Sequence, residues 1–152
     1  MPNPELQPLL RVCALLNAQA ADYLVVGGRA CILHGIIRTT QDVDILIETS
    51  EPNCQRVITA LAGMEDHAAA ELTPRDLLDN VVVKIADEVE VDVSTHAWKV
   101  SSLDALPTAL ATVVDGVRIP YLGLDSLIAS KETYREKDQA DLFLLRRLKA
   151  MK

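Results

Sequence analysis

A pair of glycines placed directly after a short apolar run constrains the fold of this chain more than any other feature. The β-branched and aromatic residues of Tyr23-Leu24-Val25-Val26 are typical of a buried strand, and Gly27-Gly28 ends that strand. Glycine lets backbone approach a ligand closely, because it has no side chain. Residues 29 to 35 have the apolar content of a short helix, and Gly35 suits its C-terminal cap. The glycine turn is therefore predicted to lie at a helix N-terminus, where free N–H groups attract phosphate.

A second strand is predicted further along, and it carries two carboxylates on one face. Asp42 follows Gly28 after thirteen intervening residues and begins the segment Asp42-Val43-Asp44-Ile45-Leu46-Ile47-Glu48. Strand alternation sends the apolar residues to one face and Asp42 and Asp44 to the other. Two such charges repel unless a cation lies between them, and hard oxygen ligands suit Mg²⁺ carrying phosphates. The alternative is structural: Asp42 could form an Asx turn, and Asp44 could pair with Arg38.

A third carboxylate is expected from another strand, and the alternating segment Val89-Glu90-Val91-Asp92-Val93 offers two. We favour Asp92, which lies deeper in the apolar run, over Glu90, which follows the turn-like residues 86 to 88. This segment and Asn80–Ile85 are typical of paired strands around a turn, which predicts a mixed sheet with Asp92 beside the strand of Asp42 and Asp44.

These residues carry a resemblance to a known superfamily. Val26-Gly27-Gly28, the thirteen-residue spacing to Asp42-Val43-Asp44-Ile45 and the later strand with Asp92 resemble the DNA polymerase beta-type nucleotidyltransferases. The stretch from Val25 to Asp44 is most similar to the small bacterial branch related to abortive-infection and toxin–antitoxin nucleotidyltransferases. The segment from Leu127 to Leu142 resembles the lysine-containing helical segment that closes such domains, so the resemblance covers nearly the whole chain.

The resemblance implies a fold and a reaction. The fold class is α/β (α+β), a nucleotidyltransferase fold with a mixed central β-sheet flanked by helices. The reaction is transfer of a nucleoside monophosphate from a nucleoside triphosphate, with ATP the expected donor, to a hydroxyl group. The Gly27-Gly28 turn and Lys131 would hold the triphosphate, Asp42 and Asp44 would bind two Mg²⁺ ions, and Asp92 would bind the catalytic metal and help deprotonate the acceptor. Two metals roughly 3.5–4 Å apart can stabilise the entering and leaving oxygens together.

Some residues depart from the pattern or admit two interpretations. Many active members have serine directly after the glycines, where this chain has Arg29. Arg29 could supply a guanidinium to the phosphates or could face solvent. His34 could contact substrate or be structural.

The C-terminal segment is interpreted as one helix in which Lys131, Arg135 and Asp138 interrupt an apolar stripe. Lys131 or Arg135 could pair with Asp138 by helical spacing. In the functional interpretation, which the resemblance supports, Lys131 reaches the triphosphate while Arg135 and Asp138 fix the helix against the sheet.

Length and charge bound the partners. The 152 residues, 49% of them hydrophobic, predict one domain spanning 1–152 with no separate acceptor domain. The net charge is −7, and residues 131–152 hold seven Lys and Arg against four Asp and Glu. The rest of the chain holds eight Lys and Arg against eighteen Asp and Glu, a net charge of −10. Such a surface disfavours duplex DNA. A small-molecule or protein hydroxyl fits better, and a tRNA acceptor would need the basic tail or a partner.

Other features predict location and framework. No apolar run is long enough for a membrane span and no signal peptide is evident, so we expect a cytoplasmic protein. The three cysteines are predicted to be buried and apolar, with no disulfide or zinc site. Further predictions are helices over 4–20 and from 51 to 63, and a hairpin around Asp115-Gly116. The stretch 65–79 is interpreted as a loop that shapes the acceptor pocket.

Two functional hypotheses remain. The first is an Mg²⁺-dependent nucleotidyltransferase, with a toxin–antitoxin pair as one setting. The second is a catalytically inactive nucleotide-binding or antitoxin-like interaction module with a helical partner protein. The set Asp42, Asp44 and Asp92 favours the first, since a pure binding module has no need of three clustered carboxylates. The serine missing after Gly28 and the absence of a visible acceptor domain favour the second.

Overall fold

A six-stranded mixed sheet forms the centre of the computed structural model, which describes residues 4–152. Short 3-10 helices occupy Pro4–Leu6, Ala68–Glu71 and Leu106–Thr108. The main elements in chain order are α1 (Gln7–Ala18), β1 (Tyr23–Val26), α2 (Gly27–Leu33), β2 (Val43–Ile47), α3 (Glu51–Leu61), α4 (Pro74–Leu78), β3 (Val82–Ala86), β4 (Glu90–Ser94), β5 (His96–Ala97), β6 (Val100–Ser101), α5 (Ser102–Ala105), β7 (Leu110–Val114), β8 (Val117–Tyr121), α6 (Leu124–Ser130) and α7 (Glu136–Ala150).

The strand order is β3-β4-β2-β1-β8-β7, and both parallel and antiparallel pairs occur. Strand β2 runs antiparallel to β1 and parallel to β4, while β1 runs parallel to β8. Hairpins join β3 to β4 and β7 to β8, and β5 with β6 forms a separate small ribbon. The predicted mixed sheet flanked by helices is confirmed.

The core follows from the alternation seen in the sequence. The apolar residues of β2 that face away from the carboxylates are completely buried, namely Val43, Ile45 and Ile47. Every residue of β1 is buried, so both faces of this central strand are covered. Each fully buried aliphatic side chain contributes about 1.5–3 kcal/mol. The three cysteine thiols, Cys13, Cys31 and Cys54, are buried and free within the described residues, and burial raises the pKa of Cys13 to about 11.

The glycine-containing hairpin is also confirmed. Asp115 and Gly116, which join β7 to β8, have φ of 50° and 77°. A two-residue hairpin turn of the common primed type needs positive φ at both positions, and these residue types tolerate it. The predicted helix at 4–20 begins with a 3-10 turn, so α1 itself starts only at Gln7.

The interpretation of 65–79 as a pocket-shaping loop is wrong. The stretch forms a 3-10 helix and α4, whose first turn is closed by a capping box between Thr73 and Asp76. Asp87 accepts hydrogen bonds from the backbone N–H groups of Asp66 and Ala68, which fastens the stretch to the β3–β4 turn. Among the described residues, the large cleft discussed below draws none of its lining from this stretch.

Within residues 4–152, no helix combines the length and the apolar character needed to cross a bilayer.

Candidate functional site

A cleft of about 840 Å³ opens where the polar face of the sheet meets the C-terminal segment. Ligand sites in proteins commonly have volumes of this order. The residues that sequence reasoning selected all line this cleft: Gly27, Gly28, Asp42, Asp44, Asp92 and Lys131. The fold therefore brings together side chains from four separate parts of the chain.

Strand register sets the carboxylates next to each other. Asp44 on β2 pairs directly with Asp92 on the parallel strand β4, and on its other side with Val26 at the end of β1. The predicted adjacency of Asp92 to the Asp42–Asp44 strand is confirmed. Glu90 instead pairs with Ala86 across the β3–β4 hairpin and is exposed. Asp92 is thus the strand neighbour of Asp44, and Glu90 is not.

The glycine turn lies directly over one of these carboxylates. Gly27 has φ of 65°, and a Cβ on it would lie 2.1 Å from Asp44 Oδ2. A Cβ on Gly28 would lie 3.0 Å from Thr40 Oγ1 and 3.1 Å from the guanidinium carbon of Arg38. The glycines lie at a helix N-terminus, as the sequence predicts, but α2 begins at Gly27 itself rather than at Arg29. Bare backbone is required here because any side chain at Gly27 would displace the carboxylate.

The environment of Asp44 disfavours its charge. The pKa of Asp44 is raised to about 7, mainly by burial and also by the hydrogen bond and negative charge of Asp92, while Lys131 acts in the opposite direction. Near neutral pH the Asp44 carboxyl is consequently divided between its two protonation states. A bound cation would favour the ionised form.

Lys84, which sequence reasoning missed, supplies a positive charge at the edge of the carboxylates. Its Nζ lies 3.4 Å from Asp42 Oδ2 and 3.3 Å from Asp92 Oδ1. Hairpin register aligns Lys84 with Asp92, and Asp92 raises the pKa of the Lys84 ammonium. The signal was available, because Lys84 is the one charge in an otherwise apolar strand that was predicted to pair with the strand of Asp92.

The donor set fits a divalent cation at Asp44 and Asp92. Both are hard oxygen donors at matched positions on neighbouring strands. Asp92 Oδ1 is buried and accepts no hydrogen bond from the described residues, although Lys84 is near. Asp42 accepts a hydrogen bond from the Lys84 ammonium. As they stand, no three His, Cys, Asp or Glu side chains in residues 4–152 converge closely enough to hold a metal ion.

The single C-terminal helix predicted from the apolar stripe is wrong. Helix α6 ends at Ser130 and α7 begins at Glu136. The Thr133 hydroxyl lies between them, donating to Asp138 Oδ2 at 2.5 Å and accepting from the Arg135 N–H at 3.2 Å. Such local side-chain hydrogen bonds compete with helix propagation. Periodicity cannot detect the break, because the apolar spacing continues through it.

The break folds Lys131 back onto α7. Lys131 is buried, with its Nζ 2.9 Å from Asp141 Oδ2 and 3.3 Å from Asp138 Oδ1. Burial alone would lower the pKa of Lys131, but the hydrogen bond and charge of Asp141 raise it overall. Arg135 is exposed, 3.9 Å from Asp138. The structural pairing of Lys131 with Asp138 is therefore present, and Lys131 is also one of the residues that line the cleft.

Three further residues have structural contacts. Arg29 is buried, and its guanidinium donates to the backbone carbonyls of Glu5 and Gln41 at 2.7 and 3.1 Å. Both earlier interpretations of Arg29, a phosphate ligand and a solvent-facing side chain, are wrong. His34 Nε2 lies 2.7 Å from the Leu122 carbonyl oxygen, which supports its structural role. Arg38 pairs with Asp141 at 2.5 Å, so the suggested pairing of Arg38 with Asp44 is also wrong.

Solved structures share this fold. An antigenic nucleotidyltransferase-like protein from Paracoccidioides brasiliensis aligns with a TM-score of 0.59 and 17% identity, over 97% of this chain and 78% of that one. A proposed nucleotidyltransferase from Thermotoga maritima aligns with a TM-score of 0.56 and 17% identity, over 99% of this chain and 91% of that one. No protein-family model and no curated protein matches the sequence. The likeness confirms the predicted nucleotidyltransferase fold.

Proposed function

We propose that this protein is a nucleotidyltransferase that binds a nucleoside triphosphate with Mg²⁺ and transfers its nucleoside monophosphate to a hydroxyl group, releasing pyrophosphate. One observation carries the proposal: Asp44 and Asp92 pair in register beneath a glycine whose Cβ would collide with Asp44 Oδ2. Two adjacent carboxylates under bare backbone suit a metal-bound phosphate chain. The shared fold supports the same class of chemistry.

Each residue has a separable task in this proposal. Gly27 and Gly28 let the triphosphate approach the backbone, and Lys131 offers it an ammonium. Asp44 and Asp92 would hold Mg²⁺, with Asp42 as a further carboxylate at the same site. Bound there, the metal would supply positive charge for the entering and leaving oxygens. Asp92 would also help to deprotonate the acceptor hydroxyl.

Charge guides the choice of substrates. The site gathers Lys131, Arg135 and Lys137 on its C-terminal side, whereas the rest of the chain is strongly acidic. We propose ATP as donor and a small-molecule, protein or tRNA hydroxyl as acceptor, with duplex DNA excluded by its charge. A cytoplasmic toxin–antitoxin pair, with a helical partner protein, is the biological setting that we propose.

The test is a comparison of melting temperatures with ATP, GTP, CTP and UTP, each with and without Mg²⁺. A ligand at a hundred times its dissociation constant stabilises a fold by about 2.7 kcal/mol. We expect a Mg²⁺-dependent rise in melting temperature with at least one nucleotide for the wild-type protein, and no such rise for Asp44→Asn. Asp79→Asn, an exposed acid paired only with Arg75 in the described chain, serves as the matched control and keeps the rise. Transfer of label from the α-phosphate of the stabilising nucleotide then tests the chemistry, and transfer undiminished in Asp44→Asn would contradict the mechanism.

One observation favours a second function, an inactive nucleotide-binding or antitoxin-like module. The Lys84 ammonium already lies against Asp42 and Asp92, where a metal would otherwise balance their charge. A module of this kind would bind nucleotide equally well without Mg²⁺, or would bind none, and would transfer no label. Replacing Lys84 by Met distinguishes the two functions, because an enzyme gains Mg²⁺ affinity when the competing ammonium is removed and an inactive module does not.

A further inference from the structure

The cleft contains two exposed aromatic side chains that the chemistry at the carboxylates does not use. Trp98 is 45% exposed and Tyr134 is 96% exposed, and both line the same cleft as the Gly27-Gly28 turn. The chain is poor in aromatic residues, at 3% of the sequence, and Trp98 is its single tryptophan. Large rings left exposed at a concave site are typical of ligand contacts rather than of core packing.

The backbone holds Trp98 in an unfavourable conformation at this position. Trp98 lies at the turn between β5 and β6, with φ of 59°. Bulky residues rarely adopt positive φ, because the side chain crowds the backbone. Burial compensates this cost only in part, since Trp98 is 45% exposed. Val100, which is buried, anchors the ribbon to the core, so the turn holds the indole at the rim of the cleft.

Tyr134 comes from the segment between α6 and α7. This segment is held by the Thr133 hydroxyl on Asp138 and by Gln139 Nε2, which donates to the Thr133 carbonyl at 2.5 Å. Positive charge accompanies both rings: Lys99 Nζ lies 5.9 Å from the centre of the Trp98 ring, and Arg135 lines the cleft beside Tyr134. The surroundings therefore combine flat apolar faces with cations, which suits a planar group on an anionic ligand.

We infer that Trp98, together with Tyr134, binds the nucleobase of the donor triphosphate by stacking. This inference rests on the proposed function and adds the recognition of the base to it. With the phosphate chain at the glycine turn and the carboxylates, the nucleoside occupies the remainder of the same cleft, where the two rings lie. Stacking accepts every base, since each has a π-face. We therefore expect purine nucleotides, with the larger ring surface, to bind more tightly than pyrimidine nucleotides.

The single tryptophan provides a direct reporter for the test. Titration of the wild-type protein with Mg²⁺ and ATP should change the Trp98 fluorescence, whereas inorganic triphosphate with Mg²⁺ should bind without that change, because it lacks a base. Binding of triphosphate is measured independently, from the rise in melting temperature.

Variants separate stacking from structure. Trp98→Ala should raise the Kd of ATP by about 5- to 100-fold, the range expected for loss of one stacked ring, while the Kd of inorganic triphosphate stays unchanged. Trp98→Phe, which keeps a ring, should retain most of the affinity, and Tyr134→Ala should weaken ATP selectively as well. Phe143→Ala is the matched control, because Phe143 is 63% exposed on α7 but does not line the cleft.

The outcomes distinguish this inference from the proposed function. Triphosphate that stabilises the protein, combined with ATP that leaves the fluorescence unchanged or with equal Kd values in Trp98→Ala and wild type, would overturn the base-stacking role alone. A fluorescence change produced by tRNA and not by ATP would also overturn it, because the rings would then hold an acceptor base. Failure of both ATP and triphosphate to stabilise the protein would overturn the proposed function and this inference with it.

Discussion

Asp44 is the residue in which burial, charge and close packing conflict most directly. It lies under the Gly27 backbone, beside Asp92, and within the influence of Lys131. A buried carboxylate next to another carboxylate destabilises the fold when both are ionised. This cost is intelligible at a site that binds a cation, and it has two measurable consequences.

The first consequence is a pH dependence of stability in the metal-free protein. The pKa of Asp44 is about 7 in the folded state against 3.8 for an unperturbed carboxyl, so the folded state binds the extra proton between these values. The free energy of unfolding should therefore fall as pH rises from about 4 to about 7, by up to about 1.4 kcal/mol per pH unit from this group. In Asp44→Asn this contribution should vanish, so the variant is more stable than wild type at pH 8. Urea unfolding in EDTA at a series of pH values measures the free energy of unfolding of both proteins. An Asp44→Asn variant less stable than wild type at pH 8 would contradict the raised pKa of Asp44.

The second consequence concerns Gly27. In Gly27→Ala the new Cβ would displace the Asp44 carboxylate, and the positive φ would be strained as well. We expect a loss of about 1–3 kcal/mol of stability and loss of Mg²⁺-dependent nucleotide binding. Gly116→Ala is the matched control: it has φ of 77°, but its Cβ would meet no described atom within 4 Å. It should lose stability through strain while nucleotide binding stays intact, and equal binding by the two variants would refute the steric argument.

At the scale of the element, the break between α6 and α7 organises the site. In one continuous helix, Lys131 would lie about two turns from Asp138 and nearly three turns from Asp141. The break instead lets Lys131 contact both carboxylates. Asp141 also forms a salt bridge with Arg38, whose guanidinium lies beside Gly28. A buried network of charges thus joins the C-terminal helices to the segment beside the glycine turn.

This network predicts a large effect of Asp141→Asn. The change leaves the buried Lys131 and the half-buried Arg38 short of a counter-charge, and breaking a buried pair in this way costs about 3–5 kcal/mol. Urea unfolding should show this loss. The exposed pair of Arg75 and Asp79 provides the comparison, and Asp79→Asn should cost no more than about 0.5 kcal/mol. Similar small losses in both variants would mean that the network does not stabilise the break.

At the scale of the whole molecule, one apolar cluster contacts every layer of the fold. Its buried residues come from α1, the central strands β1 and β2, α3 and the C-terminal helices, with Leu16, Ile45, Leu61, Leu127 and Leu145 as examples. Elements that share a core lose their contacts together, so a single domain of this size is expected to unfold cooperatively. The prediction of one domain over 1–152 can be tested on that basis.

We expect two-state unfolding in urea. Far-ultraviolet circular dichroism reports all helices and strands, whereas the fluorescence of Trp98 reports the β5–β6 ribbon at the cleft. The two transitions should have the same midpoint and slope, because Val100 anchors that ribbon in the common core. An earlier fluorescence transition would show that the ribbon, and with it one wall of the cleft, unfolds separately.

The central strands, the glycine turn and the β7–β8 hairpin could be predicted from local signals in the sequence, namely period-two alternation, positive φ at glycine, and strands joined by short turns. The adjacency of Asp44 and Asp92 was predicted instead from the mechanism that the resemblance implies, because β2 and β4 are parallel and far apart in the sequence. The backbone contacts of Arg29 and the pairing of Arg38 and Lys131 with Asp141 were visible only in the folded structure. Arg38 and Asp141 are 103 positions apart, and no period or spacing in a single sequence relates such residues. Their pairing follows from how the layers pack, since burial of several charges leaves each cation only those partners that the fold brings within reach.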